Sequence, residues 1–120
     1  MPIIRAADAR WRGSNAGLAT PSLGATELVV CSARAEAGRS GLAHKHDREE
    51  IVVVIEGSGT ATLDGEEHEI AAGDTVIVPA GVVHSFTAGP EGYACITCEP
   101  AGIRFFDAEG NETDVPWLMH

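Results

Sequence analysis

Basic residues are scarce in this chain: 8 Lys and Arg stand against 18 Asp and Glu, a formal charge of −10. Phosphate would be repelled at long range, which excludes a broad nucleic-acid footprint or docking on an anionic membrane. Long apolar runs are missing too. No segment approaches the ~20 apolar residues that a membrane helix requires. The start, MPIIRAADARWRGSNAG, lacks the apolar stretch of a signal peptide, so a cytoplasmic protein is expected. Cysteines number three, an odd count that would leave one unpaired in a secreted chain. Aromatics make up 5%, too few for an evident carbohydrate-stacking platform. Helical periodicity is nearly absent.

What remains is β-rich. With 120 residues, 44% of them hydrophobic, the chain suffices for one domain with its own core. Short runs of strand character recur: ELVVC at 27–31, EIVVVIE at 50–56, TATL at 60–63, EEHEI at 66–70, DTVIV at 74–78, HSFTA at 84–88, YACITC at 93–98 and IRFF at 103–106. Glycine and proline separate them, as in GSG at 57–59, GPEG at 89–92 and PAG at 79–81 and 100–102. This spacing predicts an all-β sandwich or barrel over residues 27–106. Asp64-Gly65 predicts a tight hairpin turn. Residues 1–26 read as an irregular arm with room for one edge strand. Residues 107–120 read as a polar tail whose Trp117 covers a barrel end or a neighbouring subunit.

The chemistry concentrates in HKHDREE at 44–50. On a strand, His44 and His46 leave the same face and converge on one point. Glu50 lies ~13 Å beyond His46 if the chain stays extended. It can join them only if Asp47-Arg48-Glu49 reverses direction. Glu49 would then turn outward. Cys95 and Cys98 form a C-x-x-C pair, but three apart on a strand they face opposite ways, so two reduced thiols packed as small hydrophobes are expected. His68, in the polar arm EEHEI, reads as a solvated surface residue.

A longer pattern frames these residues. From Gly38 the chain reads Gly, five residues, His44, one, His46, three, Glu50, six, Gly57; after fifteen more come Gly73, five residues, Pro79, one, Gly81, two, His84. Those are the two halves of the cupin signature, and over residues 38–84 the chain resembles the cupin superfamily of double-stranded β-helix (jelly-roll) barrels. An Asn that many cupins carry four residues after the last His is Ala88 here. The resemblance implies that His44, His46, Glu50 and His84 hold one divalent transition metal ion inside the barrel. Three neutral imidazoles and a carboxylate suit Fe(II), Mn(II), Ni(II), Co(II), Cu(II) or Zn(II) without choosing among them. Glycines 38, 57, 73 and 81 and Pro79 are expected to shape turns.

Strand parity sketches a pocket. If Glu50 points inward, so do Val52 and Val54, and with His84 goes Phe86. Either Tyr93, Cys95 and Thr97 or Ile96 and Cys98 line another wall. An apolar cavity over a metal suits a small organic molecule as substrate or ligand. Two functions follow from the resemblance: a small metalloenzyme of dioxygenase, isomerase, cyclase or lyase type, or a non-enzymatic binding or sensing module with a structural or docking metal. Tyr93 is the one candidate for acid–base catalysis that the sequence offers. A homodimer is expected, with the arm (Trp11) and tail (Trp117) covering sheet edges across it.

Overall fold

Runs of Val, Ile and Thr fit a pleated, half-buried surface, and they carry the fold. The computed structural model describes residues 1–120 and arranges ten strands, all paired antiparallel. In chain order they are β1 (Arg10–Arg12), β2 (Asn15–Ala19), β3 (Leu28–Ala35), β4 (His44–His46), β5 (Glu50–Leu63), β6 (Glu66–Ala71), β7 (Thr75–Val78), β8 (His84–Pro100), β9 (Phe105–Asp107) and β10 (Glu112–Thr113). The only helical pieces are three 3-10 turns of three residues each. The architecture is the all-β jelly roll.

Two long strands form its spine. β5 and β8 pair along most of their length, from Ile51 opposite Cys98 to Leu63 opposite His84. GSG at 57–59 and GPEG at 89–92 are not chain reversals between separate strands but the bend of two continuous ones. The register shifts at Val54/Glu56 and again at Gly57/Gly59, and such bulges sharpen a sheet's bend without ending it. Gly57 adopts φ +75, and a Cβ there would collide with the carbonyl of Gly92. Glycine is needed at this position for a close approach within a sheet, not for a turn. By contrast, Asp64 and Gly65 (φ 51 and 82) make the two-residue hairpin turn between β5 and β6, as that pair favours.

The arm is more regular than its composition suggests. β1 and β2 form a hairpin, and β2 extends the sheet along β3. Trp11 lies under the Arg34 guanidinium and Trp117 under that of Arg12, both within the same chain. The tail ends in a 3-10 turn, Trp117–Met119, whose Met119 is buried with Val29, Cys31 and Ile103. The larger core cluster holds Val52, Val54, Ala61, Ile70, Val76, Val78 and Cys95. Ile103, read as the start of a strand, is a core residue ahead of β9.

Candidate metal centre

Register brings the imidazoles together. His44 on β4 lies directly opposite His84 at the start of β8, and β9 flanks β4 on its other side with Phe105 opposite His46. The ring centroids of His44, His46 and His84 stand 4.4–4.9 Å apart. One ligand atom from each lies within 4.8 Å of the others. His46 and His84 are almost fully buried, at 2% and 1% exposure.

Glu50 joins them because the chain does reverse at 47–49. The Asp47 carboxylate accepts a hydrogen bond from the Arg104 backbone N–H at 2.7 Å, and the His46 carbonyl accepts one from Gly81 N–H at 2.7 Å. These bonds pin the corner. Glu50 then opens β5 with Oε2 3.7 Å from His46 Nε2 and Oε1 3.6 Å from His84 Nε2. Both separations are too long for a good hydrogen bond. Burial pushes the Glu50 carboxyl up, but the two imidazoles it faces outweigh that and hold it down at about 2. Glu49, within the reversal ahead of β5, is exposed, and so is His68.

Hydrogen bonding settles two tautomers. His44 Nδ1 lies 2.8 Å from the Leu42 carbonyl, and His84 Nδ1 lies 2.9 Å from that of Val82. A carbonyl only accepts, so in the neutral rings both protons sit on Nδ1 and both Nε2 lone pairs are free. His84 Nε2 and both His46 nitrogens are buried without a hydrogen-bond partner. Each orphaned atom costs roughly 1–3 kcal/mol. Burial lowers the pKa of His44, which favours the neutral ring. Donors ~2.1 Å from one ion would stand ~3–4 Å from one another, which the observed spacings approach. The donor set and its unpaired atoms fit a divalent transition metal.

The cavity beside this cluster has a volume of about 730 Å³. His44, Glu50 and His84 line it together with Val52, Phe86 and Tyr93. The phase of β8 is resolved as Tyr93, Cys95 and Thr97 inward. Val54, expected in this lining, is instead a core residue at 1% exposure, one inward position further along β5. Cys31, Cys95 and Cys98 are free thiols. Burial pushes Cys31 up to about 12 and Cys95 up to about 11, which keeps both thiols protonated near neutral pH. Burial likewise raises the Tyr93 phenol to about 12, so it stays protonated.

One inward acid escaped the sequence reading. Glu99 is 2% exposed, lines the cavity, and has an Oε2 without a hydrogen-bond partner. Burial, then the facing Glu50, pushes its carboxyl up to about 8. The signal was available, because the parity that turns Thr97 inward turns Glu99 inward as well. It was lost by ending the strand at Cys98.

Residues 33–98 match the sequence model of the cupin domain, more than half the chain. The chain is a cupin. This cupin is 36% identical over 86 residues to the dimethylsulfoniopropionate lyase DddW of Ruegeria pomeroyi, covering 71% of the chain and 54% of DddW. It therefore spans about half the length of that curated relative. Among solved structures, the polyketide cyclase RemF of Streptomyces resistomycificus superposes with a TM-score of 0.75 at 20% identity, over 98% of the cupin and 88% of RemF. A salicylate 1,2-dioxygenase of Pseudoaminobacter salicylatoxidans with gentisate adducts gives 0.67 at 21%, over 81% and 30%. At such identities these structures speak for the shared fold.

Proposed function

We propose that this cupin is a metal-dependent enzyme acting on a small organic molecule, with one divalent ion held by His44, His46, Glu50 and His84. The observation that carries this reading is the convergence of ligand atoms from His44, His46 and His84 within 4.8 Å of one another, with buried nitrogens of His46 and His84 left unpaired, at the wall of an open cavity. When bound, the ion supplies Lewis acidity that polarises an oxygen of the substrate.

The protein's own groups do the rest. The carbonyls of Leu42 and Val82 fix the rings of His44 and His84 with Nε2 presented. Val52, Phe86 and Phe105 exclude water and contact carbon atoms of the substrate. Tyr93, with its proton held, donates a hydrogen bond. Dioxygenase, isomerase and cyclase chemistry fit the same ligands, but the relationship to DddW favours a lyase. Elemental analysis, then incubation of iron-, manganese-, nickel-, cobalt-, copper- or zinc-loaded protein with dimethylsulfoniopropionate followed by NMR, tests this. Metal-dependent consumption that is lost in His84→Ala is expected. Metal uptake with tight binding of small carboxylates and no turnover on any of a panel of lyase, isomerase, cyclase and dioxygenase substrates would support a binding module instead.

We further propose a homodimer contact on the outer face of the sheet. Ile77, Ile51, Cys98 and Val30 form one row across β7, β5, β8 and β3. Val53 and Ile96 pair on the same face in the neighbouring row. Ile77 is 59% exposed, and no charged side chain interrupts the row in a chain of charge −10. Depletion of charge marks the centre of an interface.

A further inference from the structure

Glu50 and Glu99 face each other across the sheet. β5 and β8 pair with Val52 opposite Thr97 and Ile51 opposite Cys98, so the next antiparallel position sets Glu50 against Glu99 on the inward side. Side chains directly opposed in such a ladder have Cβ atoms ~4.5–5.5 Å apart, and like charges there repel. Both residues are buried and both line the cavity. Their partners differ. Glu50 looks toward His46 and His84, whereas Glu99 Oε2 has no hydrogen-bond partner. An ion among the imidazoles would compensate Glu50, while Glu99, with Thr97 as its polar neighbour and Oε2 unpartnered, stays within reach of anything bound in the cavity.

We propose that Glu99 is a ligand-binding residue that takes a cationic or hydrogen-bond-donating group of the same molecule whose oxygen faces the imidazole cluster. The cavity would thereby select small molecules with an anionic or carbonyl oxygen at one end and a donor or positive charge a few bonds away. The oxygen end of this inference rests on the metal reading; the donor end depends on Glu99 alone. The acidic chain supports it, because a net charge of −10 attracts cations toward the cavity mouth. Apolar walls from Val52, Phe86 and Phe105 suit the carbon spacer between the two ends.

Two matched pairs of probes test it on the zinc-loaded protein: β-alanine against propionate, and 4-aminobutyrate against butyrate, each titrated by amide NMR shifts. At least one amine is expected to bind roughly five-fold or more tightly than its amine-free partner, as a charge-assisted contact implies. Glu99→Gln keeps the shape but cannot give up a proton to become the carboxylate that pairs with an ammonium group, and should bring that preference below about two-fold; Glu99→Leu should abolish it. Equal affinities within both pairs, no binding by any of the four, or a preference that Glu99→Gln leaves intact would overturn the assignment. Zinc content measured on the same samples keeps the two readings apart. A wild-type protein without zinc contradicts the metal site, while the amine preference is then scored on the zinc-free protein.

Discussion

Replacing Glu99 with Gln should remove one large loss of stability that this cupin suffers between pH 5 and pH 8. In the folded, metal-free chain, burial and the facing Glu50 push the Glu99 carboxyl up to about 8, whereas an unfolded Glu titrates near ~4.3. A carboxyl raised by folding binds more protons in the native state between those two values. Its contribution is therefore fully present below ~4.3 and is lost as pH climbs through about 8. The slope is ~1.36 kcal/mol per pH unit inside that window. Allowing for curvature at each end, Glu99 removes roughly 3–4 kcal/mol of unfolding free energy between pH 5 and pH 8. Gln cannot ionise, so Glu99→Gln loses that term while other titrations, the imidazoles included, stay common to both proteins. Urea unfolding of chelator-treated wild type and variant, followed by the fluorescence of Trp11 and Trp117, measures the difference at each pH. The variant should gain on the wild type steadily from pH 5 to pH 8 and be the more stable at pH 8. Parallel curves would mean that Glu99 is solvated or already charged, and would refute the buried carboxyl pair.

Gly57→Ala should destabilise by more than about 2 kcal/mol, because positive φ and a collision with the Gly92 carbonyl act together; a thermal melt checks this, and a shift under 2 °C would contradict it. Val54→Ala should cost roughly 2 kcal/mol by leaving a void in the larger core without altering metal content, which separates it from the cavity residues. Ile77→Glu should turn a dimer into a monomer by light scattering, since a charge would be buried in the outer apolar row; an unchanged mass would remove that face as the interface. Metal affinity should fall as pH drops below ~6, where protons compete for the imidazoles; a chromogenic-chelator titration at pH 5 and 7.5 reads this, and equal affinities would argue against histidine ligation.

Local spacing made the convergence of His44 and His46 legible, because strand parity acts over a few residues, and the resemblance to the two-part cupin signature added His84. Asp47-Arg48-Glu49 was legible as a reversal because Glu50 could not otherwise approach His46. What escaped depended on partners distant in sequence. Gly57 and Gly92 look like turn punctuation, yet Gly57 admits the Gly92 carbonyl across the bend of β5 and β8, and Gly92 in turn admits the backbone carbonyl of Ala35 on β3. Glu99 precedes Pro-Ala-Gly and so reads as the edge of a turn, while its place against Glu50 follows only once the β5–β8 register is known. The strands of the arm are short, β1 of Arg and Trp and β2 of Asn, Ala, Gly and Leu. Pairing of β2 along β3 and of β1 on β2, not propensity, makes them strands.

Elemental analysis of the protein purified without added metal and then equilibrated with one equivalent of zinc, wild type beside His46→Ala, bears most directly on whether the four donors form a metal centre. Wild type should retain close to one divalent ion per chain after desalting, and the variant should lose most of it. A wild type that holds none, or a variant that holds as much, would contradict a centre built from His44, His46, Glu50 and His84.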